Sequence, residues 1–146
     1  MRTHSGLQHI AFERVAVAQA LGTRPRPRAA APRRMLVVED DFLQAEQVAE
    51  GLRSMGLEPV GPASSLDAAL ALAETQELHG ALLDVRLQRG LRVYPVVEVL
   101  WRRRIPFCFM TAYCEDRTSV MPAEAVLYKP FSSTALRSVV RTLLDA

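Results

Sequence analysis

The chain has 146 residues, 49% of them hydrophobic and 23% charged, a composition suited to one soluble core of ordinary size. Its sixteen glycines and prolines are too few for a collagen-like or wholly disordered chain, and no apolar run reaches the roughly 18 residues of a membrane-spanning helix. The net charge of +2 hides a division: residues 1–34 carry seven arginines against one acid, Glu13, whereas residues 35–146 carry eleven Lys/Arg against fifteen Asp/Glu. The basic and acidic parts call for separate readings.

In the basic part, Leu7, Ile10, Ala11, Val15 and Ala18 recur at roughly helical spacing within Leu7–Leu21. Arg24-Pro25-Arg26-Pro27-Arg28 then reads as an extended linker, because each proline restricts the residue before it. Residues 1–34 are expected to be a flexible, Pro/Arg-rich extension. A disordered leader, or a natural start at Met35, explains it more simply than an arm for polyanions or membrane surfaces, since its one short arginine cluster lacks interleaved aromatics. Glu13 and Arg14 interrupt the continuous apolar run that a secretory signal needs. Cys108 and Cys114 are too few for a disulfide framework and lack zinc-site spacing. A reducing cytoplasm is the expected compartment.

From Met35 onward, five short apolar runs alternate with amphipathic windows, the pattern of a parallel sheet covered by helices. Met35–Val38 is the first strand. Asp41 is placed to cap the next helix, with Gln44 three residues on as in a capping box, Ala45, Val48, Ala49 and Leu52 as the buried stripe, and Gly56 as the stop. A short strand around Pro59-Val60-Gly61 leads to Ser64 and Ser65, candidate caps for a helix with Leu66, Ala69, Leu70 and Ala73 inward. The third strand is Ala81-Leu82-Leu83, ending at Asp84. Val93, Val96, Val97 and Leu100 mark the next helix, closed by Arg102-Arg103-Arg104, which suit the negative end of a helix and read as a solvated face. Phe107–Met110 is the fourth strand, Ala125–Tyr128 the fifth, and Leu136, Val139, Val140 and Leu143 line the last helix. Between strands four and five, Ala112 to Met121 leaves room for about two helical turns, so the fourth helix is expected to be short or irregular. Tyr94, Trp101 and Phe131 read as core or half-buried aromatics.

In an open parallel sheet, reactive groups gather at the carboxyl ends of the strands, near the point where strand order reverses. Glu39, Asp40 and Asp41 follow strand one and Asp84 ends strand three, so adjacency of these strands brings their carboxylates together. Converging carboxylates repel and desolvate one another unless a cation joins them. Hard oxygen donors with room for water and a phosphate describe Mg²⁺ better than a softer metal. Asp41 fits a cap better than a ligand. Thr111 and Ala112 end strand four, and Lys129-Pro130-Phe131 ends strand five, bringing a hydroxyl and an ammonium to the same edge. These groups suit the oxygens of a phosphoryl group held on Asp84, since a carboxylate can act as nucleophile and charge neutralisation is most of what phosphoryl transfer requires.

Four strings in this order carry a resemblance: Leu-Val-Val-Glu39-Asp40-Asp41, Leu-Leu-Asp84 with Leu87 and Gly90, Met-Thr111-Ala112, and Lys129-Pro130-Phe131. Together, over residues 35–146, the sequence resembles the CheY-like receiver domain of two-component response regulators. The resemblance implies a three-layer α/β fold, a (βα)5 doubly wound, five-stranded parallel sheet of the flavodoxin-like kind. It implies that Asp84 is the phosphoacceptor, with Mg²⁺ held by Asp84, Asp40, the backbone carbonyl of Arg86 and, through water, Glu39. Lys129, Thr111 and Ala112 are implied as phosphoryl-binding and switch positions, and Pro130 as following a cis peptide bond. The implied partners are a sensor histidine kinase or histidine phosphotransfer protein and an unidentified output protein, with a homodimer also allowed.

The sequence departs from the family where output is concerned. The position three before the lysine, usually an aromatic that changes rotamer with the threonine, is Val126, a β-branched residue with little rotamer freedom. Arg86 and Tyr113 occupy positions that in this family influence dephosphorylation. The expected function is that of a single-domain response regulator with no DNA-binding domain, not an enzyme in the ordinary sense. A pseudo-receiver that binds partners unphosphorylated is the alternative suggested by Val126 and the short fourth helix. A haloacid-dehalogenase-type phosphatase fits less well, because that family places its nucleophile in an Asp-x-Asp motif after the first strand and this chain lacks a cap domain.

Overall fold

Alternation along the strands divides the apolar residues between two faces, which requires helices on both sides of the sheet. The structure, a computed structural model, describes residues 28–113 and 126–145, and the fold lies within Pro32–Ala146. The helical segment expected at Leu7–Leu21, the Arg/Pro linker, Cys114, the short helix between Ala112 and Met121 and the first residue of the fifth strand, Ala125, lie wholly or largely outside the described residues. The strands are β1 (Arg34–Val38), β2 (Glu58–Ala63), β3 (Gly80–Asp84), β4 (Phe107–Thr111) and β5 (Val126–Tyr128). They form one sheet in the order β2-β1-β3-β4-β5, with every neighbouring pair parallel. The order reverses between β1 and β3, so the residues leaving these two strands face a crevice rather than a connecting helix.

The described helices are α1 (Phe42–Ser54), α2 (Leu66–Thr75), α3 (Tyr94–Arg102) and α4 (Ser133–Leu144). Leu36, Val38, Leu83, Phe107 and Phe109 pack on one face with Ala69 and Ala73 of α2 and Val96 and Leu100 of α3. Met35, Val37, Leu82, Cys108 and Met110 pack on the other with Val48 and Leu52 of α1 and Leu136 and Val140 of α4. Leu36 and Leu82 are both fully buried on these opposite faces, each worth about 2 kcal/mol of transfer free energy. Burial pushes the Cys108 thiol up to about 12, so it behaves as an apolar core side chain. Helix α1 and helix α4 approach closely at Gly51, where a Cβ would stand 2.7 Å from Leu136 Cδ2.

Local signals set the helix ends. Asp41 caps α1 by accepting from the Gln44 amide at 2.9 Å, and Ser65 and Ser132 do the same for α2 and α4. The reciprocal arm expected from Gln44 is replaced, because the Asp41 amide donates to Glu39 Oε1 at 3.1 Å. At the other end of α1, Gly56 takes φ +76 while the Leu57 and Gly56 amides reach the Leu52 and Arg53 carbonyls, so the chain turns at glycine and adds donors to the carbonyls that end the helix.

Three expectations are corrected. Trp101 is 57% exposed and belongs to neither core, because it follows the buried pair Val99 and Leu100 on the outward side of α3. The arginine run after α3 is more than a solvated face. Arg103 turns back to donate to the carbonyls of Ala73 and, at 2.8 Å, Gln76, capping the C-terminus of α2, and Arg102 lies 3.9 Å from Glu74. Strand β2 is longer than its apolar run, since a register irregularity between Leu36 and Val38 accommodates Gly61 and Pro62. Gly61 has φ +93, and a Cβ there would meet Ala63 N at 2.6 Å. The Gly61–Pro62 peptide is cis. Past this irregularity, the Glu39 amide donates to Ala63 O at 3.0 Å, which anchors the acidic turn after β1.

Candidate functional site

The carboxyl edge of the sheet opens into a cleft of about 960 Å³, lined among others by Glu39, Asp40, Asp84, Arg86, Ala112 and Lys129. Each arrives by a short path from the end of a strand. Glu39 and Asp40 follow β1, and Asp84 is the last residue of β3, whose five residues are all buried. The chain after Asp84 is held in place because Val85 and Leu87 are buried, Leu87 N donates to Leu91 O at 2.9 Å and Val93 N donates to Val85 O at 3.1 Å. Lys129 follows β5, and its amide donates to Thr111 O at 2.8 Å, tying the ends of β4 and β5 together. The Lys129–Pro130 peptide is cis.

Glu39, Asp40 and Asp84 each place a carboxylate oxygen so that all three lie within 4.8 Å of one another. The charge joining them in this structure is Lys129. Its ammonium donates to Glu39 Oε2 at 2.5 Å and to Asp84 Oδ2 at 3.3 Å. Asp84 Oδ1 accepts from the Arg86 amide at 3.3 Å. A metal is the cation expected among these acids; Lys129, from the same strand-end edge, is an internal one.

Burial dominates the electrostatics. It pushes the Glu39 carboxyl above its ordinary value, with the Asp84 charge adding to the rise and Lys129 opposing it. Burial also raises Asp40, reinforced by the neighbouring Glu39 charge. For Lys129, burial disfavours the ammonium, but Glu39 and Asp84 together outweigh it and hold its pKa above the ordinary lysine value. With Lys129 held charged and the Glu39 and Asp40 carboxyls both ionising reluctantly, the site is short of positive charge. Three hard carboxylate donors at this separation fit a divalent ion of the Mg²⁺ kind.

The remaining predicted positions are placed as follows. Ala112 lines the cleft and is exposed, leaving space beside Lys129. Thr111 is buried at the end of β4, and its hydroxyl accepts from the Tyr113 amide at 3.1 Å, closing a tight turn. Val126 is partly buried and packs with the Phe109 core. One contact at the rim was not anticipated: the Arg86 guanidinium stacks 3.8 Å over the centroid of the Tyr113 ring. Arginine and tyrosine, each two residues beyond a strand-end site residue, were its only sequence signal.

The comparisons with known proteins agree with this geometry. SdrG from Sphingomonas melonis Fr1 is 34% identical with a TM-score of 0.69, over 79% of this chain and 98% of SdrG. The chain belongs to the CheY-like receiver domains of response regulators. The response regulator PhyR from Brucella abortus is 28% identical with a TM-score of 0.70, over 93% of this chain and 56% of PhyR. The transcriptional regulatory protein PdtaR of Mycobacterium tuberculosis is 35% identical over 112 residues. That match covers 74% of this chain and 55% of PdtaR, so the receiver spans about half the length of the curated relatives it matches. No family model matches the chain. Among the described residues, no helix is long and apolar enough to cross a membrane.

Proposed function

We propose that this receiver accepts a phosphoryl group on Asp84 from the phosphohistidine of a sensor kinase or phosphotransfer protein. The observation that carries the reading is the meeting of Glu39, Asp40 and Asp84 with Lys129 in one cleft at the strand ends. In the transfer, a carboxylate oxygen of Asp84 forms the new bond to phosphorus while the phosphorus–nitrogen bond to the donor imidazole breaks, and the departing imidazole recovers a proton from water. Asp84 and Asp40, the Arg86 carbonyl and, through water, Glu39 are the groups that would hold Mg²⁺, which when bound supplies positive charge against the phosphoryl oxygens. Lys129 meets the same oxygens from the β5 side, giving up one of its two carboxylate contacts. The Thr111 hydroxyl, now turned to Tyr113, is the group closest in the chain to Ala112 and able to reorient toward the added charge. That charge, about −1.5 to −2 by analogy with phosphate esters, is what an output protein reads.

The test is transfer of label from a phosphohistidine donor to the full chain. Wild type is expected to take up label in a Mg²⁺-dependent form that is labile to base and to hydroxylamine, as an acyl phosphate is, and Asp84→Ala to take up none. Equal labelling of the two proteins sinks the assignment. Val126, set in the Phe109 core where the family usually has an aromatic, favours one second reading, a receiver that binds its partner unphosphorylated. Absence of amide shifts at Asp40 and Asp84 on adding millimolar Mg²⁺ supports that reading instead.

A further inference from the structure

A smaller cavity, of about 400 Å³, has the opposite chemistry to the acidic cleft. Its lining includes Arg33, Arg137 and Arg141, with Met55, Leu57 and Leu144 as the apolar part and Asp145 as the one carboxylate. Arg33 immediately precedes β1, whereas Glu39 follows it, so the cavity lies at the amino edge of the sheet. A neighbouring hollow of about 690 Å³, lined by Thr134, Ser138 and Thr142, shares Arg137 and Arg141.

Three other arginines meet carboxylates: Arg53 meets Glu50 at 3.3 Å, Arg34 meets Glu58 at 3.5 Å and Arg102 meets Glu74 at 3.9 Å. Among the described residues Arg137 and Arg141 have no such partner. Arg137 donates only to Ser54 Oγ, at 3.4 Å, and the Arg141 side chain makes no hydrogen bond or ion pair with a described residue. Arg33 uses one guanidinium N–H on Leu144 O, at 3.1 Å, and has four more to offer. Arg137 and Arg141 stand one turn apart on α4, where like charges repel. Compensation of the helix dipole accounts for Arg141 in the last turn of α4 and for the Arg33 contact with a terminal carbonyl. It does not account for Arg137, which lies more than a turn from that end. Three guanidinia line one small, partly apolar cavity, and none of them is paired with a carboxylate among the described residues, so the cavity is a positively charged pocket suited to an anion from outside the described fold.

We infer that the Arg33, Arg137 and Arg141 cavity binds a small, multiply charged oxyanion of the phosphate and diphosphate class. Guanidinium groups present paired N–H donors to such oxygens, and the partly buried Met55, Leu57 and Leu144 form the apolar side of the cavity beside these exposed guanidinia. The inference does not depend on phosphorylation of Asp84, which lies at the other edge of the sheet.

Calorimetric titration of the full chain with sodium diphosphate in metal-free buffer tests it, with binding followed in parallel by amide shifts at Ser54, Arg137 and Arg141. Saturable binding is expected, equal in wild type and Asp84→Asn, weakened about tenfold by Arg137→Gln and further by Arg137→Gln with Arg141→Gln. Added salt is expected to weaken it. Arg141→Lys, which keeps the charge and fold but loses the planar donor pair, is expected to fall between. Equal affinity in wild type and the double variant, or no saturation by diphosphate, overturns the inference. Vesicles containing an anionic phospholipid form a separate arm, and binding to them without binding to diphosphate overturns it too, assigning the guanidinia to a lipid surface.

Discussion

Lys129 at one edge of the sheet and Arg103 at the other both hold neighbouring elements together, but in very different surroundings. Lys129 sits with a side chain only 15% exposed, between Glu39 and Asp84. Arg103 is exposed, and its guanidinium serves the carbonyls of Ala73 and Gln76 that end α2. At the carboxyl edge, charge is taken from water and crowded until burial shifts the protonation of the groups. At the amino edge, Arg34 and Arg103 stay near water and satisfy backbone acceptors or surface acids. The first arrangement costs stability and creates reactivity, whereas the Arg34 and Arg103 contacts stabilise without taking part in a site. A variant at each edge therefore separates the two roles.

The largest change in stability is expected from Lys129→Met. It leaves the nearly inaccessible Glu39 carboxylate without its cation, a loss of about 3 kcal/mol near neutral pH in urea denaturation. The pH dependence identifies the cause. Glu39 and Asp40 bind protons more tightly in the folded chain than their ordinary 4.5 and 3.8 allow, so their contribution to stability grows as pH falls through the raised folded values and is absent above them. Without Lys129 the Glu39 value rises further, and the deficit of the variant is expected to narrow on mild acidification. In wild type, the Lys129 contribution is fully present below its ordinary 10.5 and is lost as pH rises through its raised folded value. A deficit in Lys129→Met that does not change between neutral and mildly acidic pH would mean that packing, rather than charge, is what the lysine supplies. Mg²⁺ is expected to raise the melting temperature of the variant more than that of wild type, since both cations answer the same carboxylates.

A chain beginning at Met35 is expected to lose about 2 kcal/mol relative to one beginning at Arg28. The strand expected to start at Met35 starts at Arg34, whose amide donates to His79 Nδ1 at 3.0 Å and whose carbonyl accepts from the His79 amide at 2.8 Å. Arg34 also reaches Gln76 and the Glu77 carbonyl, and the Arg33 carbonyl accepts from Glu58 N at 2.9 Å. Thermal melts of the two chains compare them directly. Equal melting temperatures would show that this end of β1 frays without consequence.

What could be read from the sequence follows from how local each signal is. Continuous apolar runs marked β1, β3 and β4 because strands buried on both faces admit little else, and Asp41 and Ser65 act as caps because a cap needs only an amide three residues ahead. The acids at Glu39, Asp40 and Asp84 could be brought to one edge as soon as β1 and β3 were made neighbours. The irregular passage through Gly61 and Pro62 could not be read, since its only sequence mark is a pair of residues that break strands for many reasons. The replacement of Gln44 by Glu39 at the Asp41 amide is not legible, because Glu39 lies two residues before the cap, outside the spacing of a capping box. The Arg103 contacts span nearly thirty residues, and no periodicity on α3 reports the end of α2.

Those Arg103 contacts give the smallest effect and the cleanest comparison with Lys129. Arg103→Ala removes two donors from carbonyls that remain close to solvent, and water can replace part of what is lost. The expected loss is about 1 kcal/mol, seen as a shift in urea midpoint with little change in slope. Because the contacts join α2 to α3, hydrogen exchange is expected to quicken in the last turn of α2 while the amides of β1 and β3 keep their protection. Phosphoryl acceptance on Asp84 is expected to be unchanged, since no Arg103 contact touches the acidic cleft. Loss of labelling in Arg103→Ala at a temperature where the fold persists would link the two edges of the sheet, and the division of roles between them would no longer hold.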